Sequence, residues 1–217
     1  MEQKTSMITA MIDGQIKPNK VNDPRIIEAF ETTPREDFVP KALREVAYVD
    51  EDLEIAPGRY LMEPMILARL VELAKIGPDD VVLDIGCGSG YSTALLSRFA
   101  GVVVGLEENQ ALADKANENL QNLDIENGAV IKGPMVLGCA RQGPYQVILL
   151  GGAVEVIPQT LFDQLAEGGR LVTVKIRNGV GRGHLVQKIG GILGNSDHFD
   201  ANLPPLPGFQ LKPEFRF

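Results

Sequence analysis

The sequence predicts an α/β protein: a doubly wound, mostly parallel seven-stranded sheet with an N-terminal helical extension. Three observations predict it. From residue 81 onward, short β-branched runs alternate with helix-patterned runs, which is the signature of strands joined by crossover helices. The strand-like runs are apolar throughout rather than at every second position, as in strands buried on both faces. The connections are short, and short right-handed crossovers lead to a parallel sheet.

Residues 1–20 are polar, carry Gly14 and Pro18, and read as a short helix or loose arm. Asp23 and Pro24 form an N-cap followed by proline at the first helical position, and Ile26, Ile27 and Phe30 mark the apolar face that follows. Residues 35–62 mix helical and extended pieces. The run 63–80 predicts a strong helix with an apolar stripe of Met65, Ile66, Ala68, Leu70, Leu73 and Ile76, stopped by Gly77–Pro78. Strands follow at 81–86, 102–107, 128–133, 145–153 and 170–176, with a sixth at 184–191. Helices are expected at 91–100, 109–123 and 158–169. The proline-rich tail, 203–217, ends in Phe215-x-Phe217 and reads as packing near the site mouth or as a last edge strand. The whole is expected to be one structural unit, with 1–60 packed on a core domain of 61–217.

At 217 residues the chain is long enough for a sizeable core. A hydrophobic fraction of 44% and a charged fraction of 23% are ordinary for a soluble globular protein. The net charge of −8 argues against a nucleic-acid partner, because phosphate binding needs clustered Lys and Arg. Two distant cysteines, Cys87 and Cys139, make neither a disulfide framework nor a zinc motif. The first residues lack the apolar stretch of a signal peptide, and no run is long enough to span a bilayer. A cytoplasmic protein with no membrane partner and no metal is expected.

The stretch VVLDIGCGSGYSTALL, residues 81–96, carries the chemistry. Ligands of an open parallel sheet bind beyond the carboxyl ends of its strands, so the turn after the first strand is the default site. Gly86, Gly88 and Gly90 permit a tight turn and close approach of a ligand. A dinucleotide fingerprint needs glycine at position 91, where this sequence has Tyr91. Asp84, inside the strand end, repels a pyrophosphate but suits a cationic ligand such as S-adenosylmethionine. Glu107, at the end of the second strand and followed by Glu108, stands where ribose-binding acids stand, and a carboxylate accepts from both ribose hydroxyls.

The motif string resembles that of class I S-adenosylmethionine-dependent methyltransferases, whose Rossmann-like fold is the one expected here. Longer stretches resemble one family among them, the protein-L-isoaspartate O-methyltransferases: DPRIIEAFETTPREDFVP, AYVDEDLEI, the run from Glu63 through the glycine turn, and PYQVILLGGAVEVIPQTLFDQLAEGGRLVTV. The resemblance covers about residues 22–176. It implies methyl transfer from S-adenosyl-L-methionine to a carboxylate of a damaged aspartyl residue in a protein or peptide. The cofactor residues it implies are Asp84, Gly86, Cys87, Gly88, Gly90, Tyr91, Glu107, Glu108, Gly133 and Pro134. The chain departs from the family pattern twice. Tyr60-Leu61-Met62 stands where the family has Thr-Ile-Ser, and Gly133-Pro134-Met135 where it has Gly-Asp-Gly.

Methyl transfer to an ionised carboxylate needs positioning more than a base, which agrees with the lack of a Ser-His-Asp or Cys-His pattern. Arg59 is a candidate for holding a substrate carboxylate as a bidentate pair, against the alternative of a solvated arginine. Leu61 and Met62 are candidates for the substrate-side lid, against plain core. The two histidines, His184 at the start of the sixth strand and His198 in a polar loop, are weak catalytic candidates. Two alternatives remain open on sequence: a methyltransferase of another small or peptide substrate, and a cofactor-binding regulatory protein without turnover.

Overall fold

The computed structural model describes residues 2–211. A small hairpin, β1 (Leu53–Ala56) and β2 (Arg59–Leu61), precedes seven longer strands: β3 (Val81–Ile85), β4 (Val102–Glu107), β5 (Gly128–Lys132), β6 (Tyr145–Val154), β7 (Leu165–Arg177), β8 (Val180–Ile189) and β9 (Ile192–Asp200). These seven form one sheet in the order β5-β4-β3-β6-β7-β8-β9. The pairs from β5 to β7 are parallel, and β7-β8-β9 is an antiparallel meander. The helices are α1 (Glu2–Met11), α2 (Pro24–Thr32), α3 (Pro64–Ala74), α4 (Tyr91–Leu96), α5 (Gln110–Asn122) and α6 (Gln159–Asp163).

Successive strand residues point to opposite faces, and both faces are covered. Val82, Val103, Val147, Leu149, Val172 and Val174 meet residues of α1 to α5 on one side. Leu83, Ile85, Val104, Leu106, Ile148 and Leu150 meet Met135, Leu161 of α6 and the tail residues Leu206 and Phe209 on the other. This two-sided burial is why the strands read as unbroken apolar runs.

Several boundaries differ from the sequence expectation. The first residues are no loose arm: α1 runs on into Ile12–Ile16, and Met11, Ile12 and Ile16 are buried. α3 ends at Ala74, three residues before Gly77, because Lys75 turns left-handed (φ 49°). The Arg170 guanidinium satisfies the carbonyls freed there, those of Ala74 (2.8 Å) and Lys75 (2.9 Å), and pairs with Asp80 (2.7 Å). The helix expected over 158–169 is only α6, since the Gln164 side chain binds backbone at Leu137 and Cys139 and β7 begins at Leu165. The sixth long strand starts at Val180, so His184 lies within it, and His198 lies in the seventh, β9, not in a loop. That last strand had no apolar signal because most of it is exposed.

The tail makes only one isolated bridge among the described residues, Pro205 with Ala153. It crosses the carboxyl end of β6 instead. Ala153 N–H donates to Pro204 (3.0 Å), Leu206 N–H to Ala153 (2.8 Å), and Glu155 and Val156 N–H to the Phe209 carbonyl. The expectation for Phe215 and Phe217 lies outside the described residues.

The N-terminal segment is tied to the start of α4 and to the residues before α3 by a buried charge. Arg35 is fully buried. Its Nε donates to the Ala47 carbonyl and its Nη2 to the Met62 carbonyl, both at 2.6 Å, and its guanidinium lies 5.1 Å from the Tyr91 ring centre. Phe30 and Phe38 pack edge-on against the same ring. Hydrogen bonds from charged donors contribute about 1.5–3 kcal/mol each, and unpaired buried carbonyls are costly. Arg35→Met is therefore expected to lower unfolding free energy by about 3 kcal/mol or more, read from urea midpoints at constant m-value. A loss below about 1 kcal/mol would show that the two carbonyls find other donors.

Candidate functional site

Strand order reverses between β3 and β6: β4 and β5 lie to one side of β3, β6 and β7 to the other. The crevice at the carboxyl ends of these strands is the switch point where α/β sheets bind ligands. The turn Gly86–Gly90 lines it. Gly86 has φ 78°, and a Cβ there would stand 2.7 Å from Leu206 Cδ1 and 3.3 Å from Arg59 Nη2. Gly90 has φ 91° and caps α4, but a Cβ there would strike Ala116 of α5 at 2.9 Å. Gly90 thus serves helix packing, and Gly86 faces the crevice. The turn is held from behind by Ser89 Oγ donating to Phe38 (2.5 Å) and Asn119 Nδ2 donating to Ser89 (2.9 Å).

Two carboxylates flank the turn. Asp84 is fully buried; its Oδ2 accepts from Ser92 and Thr93 hydroxyls, both at 2.7 Å, and its Oδ1 has no hydrogen-bond partner. Burial pushes its pKa up to about 6, against the pull of the two hydroxyls and with a push from the Glu107 charge. Glu107 is also fully buried. Its Oε2 accepts from the Gly88 N–H (2.9 Å) and its Oε1 from the Asn109 N–H (3.0 Å).

A third group was not foreseen here. Arg59, from β2, reaches over the turn and pairs with Glu107, Nη2 to Oε2 at 2.6 Å, both side chains buried. The sequence offered Arg59 as a substrate anchor or a solvated arginine; the ion pair contradicts solvation and turns the guanidinium toward the Glu107 side. Nothing local to residue 59 signals a partner 48 positions away.

The other expected residues divide. Cys87 is buried in the turn, and burial raises its thiol pKa well above the ordinary value. Tyr91 borders the crevice, but its ring is committed to Phe30, Phe38 and Arg35. Gly133 N–H donates to the Glu107 carbonyl (3.1 Å), which brings Gly133 and Pro134 beside that acid, while Glu108 is exposed. Tyr60, Leu61 and Met62 roof a cleft of about 310 Å³ over Gly86, Ser92 and Gly151. An adjoining pocket of about 280 Å³ lies between Asp52, Gly58, Arg59 and the tail Leu203–Pro207. Glu63, whose N–H donates to Asp52 Oδ1 (2.9 Å), is pushed up to about 7 by burial and by Asp52 and Asp50. His184 is buried in the sheet with Nδ1 2.6 Å from Asp197 Oδ1, and His198 contacts Ser196; neither lines the crevice. Sequence reasoning also missed Leu206, which touches the glycine turn from the tail. No group of three His, Cys, Asp or Glu among the described residues is arranged for a metal, and no helix among them is long and apolar enough to cross a membrane.

The profile of the protein-L-isoaspartate(D-aspartate) O-methyltransferases matches residues 6–190. The chain belongs to this family. It is 39% identical over 200 residues to the protein-L-isoaspartate O-methyltransferase of Koribacter versatilis, covering 92% of this chain and 90% of that one. It is 41% identical over 162 residues to that of Methanoculleus marisnigri, covering 75% and 74%. A solved protein-L-isoaspartate O-methyltransferase superposes with a TM-score of 0.81 at 27% identity, over 94% of this chain and 66% of that one. A Plasmodium falciparum beta-aspartate methyltransferase, solved with S-adenosyl-L-homocysteine, shares the fold at TM-score 0.79 and 21% identity, over 94% and 97%.

Asp84 gives this site a pH signature. Its folded pKa of about 6 lies above the ordinary 3.8, so the native state holds the proton to higher pH than the unfolded chain. The site is unpenalised below about pH 4 and loses stability as pH rises through about 6. At pH 8, Asp84→Asn should unfold with a free energy higher by about 3 kcal/mol, the equivalent of roughly two pKa units, and the difference should vanish near pH 4. A difference independent of pH would mean that Asp84 does not ionise with the raised pKa.

Proposed function

We propose that this cleft binds S-adenosyl-L-methionine and that the protein methylates the free carboxylate of isoaspartyl residues in damaged proteins. The observation that carries the cofactor is the buried Asp84 Oδ1, which has no donor although unpartnered buried acceptors are costly. A ligand ammonium beside the Gly86 turn, directly or through water, supplies that donor. Asp84, Gly86, Cys87 and Gly88 form the methionine end of the proposed site, with Gly90 and Tyr91 contributing backbone only. Glu107 and Glu108 form its ribose end, and Gly133 and Pro134 its adenine end. The methionine end fits the cofactor as it stands; the ribose end fits once Arg59 leaves Glu107.

The bound cofactor supplies an electrophilic methyl group on a sulfonium centre. The acceptor carboxylate is already ionised at neutral pH, so the chain's residues hold and align it and keep water out. Tyr60, Leu61 and Met62 do this as an apolar roof rather than as a row of hydroxyls. With Cys87 and Cys139 both free thiols, a reducing, cytoplasmic setting suits the protein.

The test is transfer of labelled methyl from S-adenosyl-L-methionine to an isoaspartyl peptide, with the normal aspartyl peptide as control. Base-labile label on the isoaspartyl peptide alone is expected. Folded protein that binds S-adenosylhomocysteine but labels neither peptide would overturn the acceptor and leave the cofactor.

Glu107→Ala is expected to weaken S-adenosylhomocysteine binding at least tenfold, measured by calorimetry. Unchanged affinity would remove Glu107 from the cofactor site.

A further inference from the structure

Glu107, the acid positioned for ribose, is already in use. Its two oxygens accept from Arg59 Nη2, Gly88 N–H and Asn109 N–H, and the residue has no exposed surface. The Arg59 guanidinium fills the space above it: Nη2 stands 3.3 Å from where a Cβ on Gly86 would be. Ribose hydroxyls and this guanidinium compete for the same carboxylate over the same turn.

The guanidinium is poorly held apart from that one ion pair. Nη1 contacts only the Met135 sulfur at 3.4 Å, a weak acceptor, and Nε is buried without a partner. Desolvation offsets much of the attraction in a buried pair, so such a pair contributes less than its short distance suggests. Arg59 also has a second place to go. It lines the adjoining pocket together with the Asp52 carboxylate. Gly58, beside it, turns left-handed (φ 67°), and the hairpin register is irregular at this point, between Glu54 and Ala56.

We propose that Arg59 is a specificity and gating residue of the cofactor site. While paired with Glu107 it occupies the ribose end, and the cofactor binds only as the β1–β2 hairpin carries the guanidinium off Glu107 toward Asp52. This rests on the reading that the cleft binds S-adenosyl-L-methionine. Apparent affinity is then the intrinsic affinity reduced by the fraction of chains with Arg59 withdrawn, and ligands bearing a ribose diol are the ones able to displace it.

The experiment is calorimetric titration of S-adenosylhomocysteine into the wild type, Arg59→Gln and Arg59→Lys, with hydrogen exchange of residues 53–61 in the wild type with and without the same ligand. The gate predicts at least tenfold tighter binding in Arg59→Gln and an intermediate gain in Arg59→Lys, which keeps the charge but loses the fork. It also predicts faster hairpin exchange when the wild type is saturated. The exchange measurement requires no variant to fold. Equal or weaker binding by the variants, or a hairpin that only gains protection, overturns the gate while leaving the cofactor reading in place. No binding by the wild type or either variant overturns both.

Discussion

Two carboxylates buried at the carboxyl ends of adjacent central strands are the constraint around which this molecule is arranged. Asp84 is the second-last residue of β3 and Glu107 the last of β4, on the same face of the sheet. Each would be costly to bury alone, and the charge of the second raises the pKa of the first. The groups around them are compensations. The Ser92 and Thr93 hydroxyls open α4 toward Asp84. The Gly88 and Asn109 amides close on Glu107, and Arg59 supplies the counter-charge from the far side of the cleft. The glycine turn is tight because it must present an amide to Glu107 while passing beneath Leu206 and Arg59.

A second buried cation explains why the N-terminal segment accompanies the sheet. Arg35 ties the carbonyl of Ala47 to that of Met62 and rests on Tyr91, the first residue of α4. The roof of the cleft and the helix that follows the glycine turn are thereby fixed to one guanidinium. The roof is set by its link to the base, so residues 35–62, irregular in sequence, are held at the buried points Arg35, Ala47 and Met62.

The strands of the parallel core, the switch point and the glycine turn were legible because each leaves a local trace: β-branched apolar runs, a helix-patterned crossover, three spaced glycines. Asp84 and Glu107 were legible for the same reason, since both sit at fixed offsets from that turn. What was not legible depends on partners distant in the chain. Arg59 finds Glu107 across 48 positions, Leu206 reaches Gly86 from the tail, and Arg170 satisfies the carbonyls at the end of α3, three residues before the expected stop at Gly77. β9 escaped notice because an exposed edge strand needs no apolar periodicity. The motif gives the position of Tyr91 at the crevice, and only the packing of Phe30 and Phe38 shows what its ring does.

The two departures from the family pattern lie in one place. Arg59 immediately precedes the Tyr60-Leu61-Met62 roof, and its Nη1 is 3.4 Å from the sulfur of Met135, the last residue of the Gly133-Pro134-Met135 segment. The family pattern has its acid at position 134, where this chain has proline, and the contact that this segment makes to the guanidinium is the weak one from Met135. With proline and methionine there, Arg59 has a single strong acceptor, and Glu107 has a single cation. The Arg59–Glu107 pair is a contact the chain makes to itself, and it ties the carboxyl end of β4 to the position of the β1–β2 hairpin.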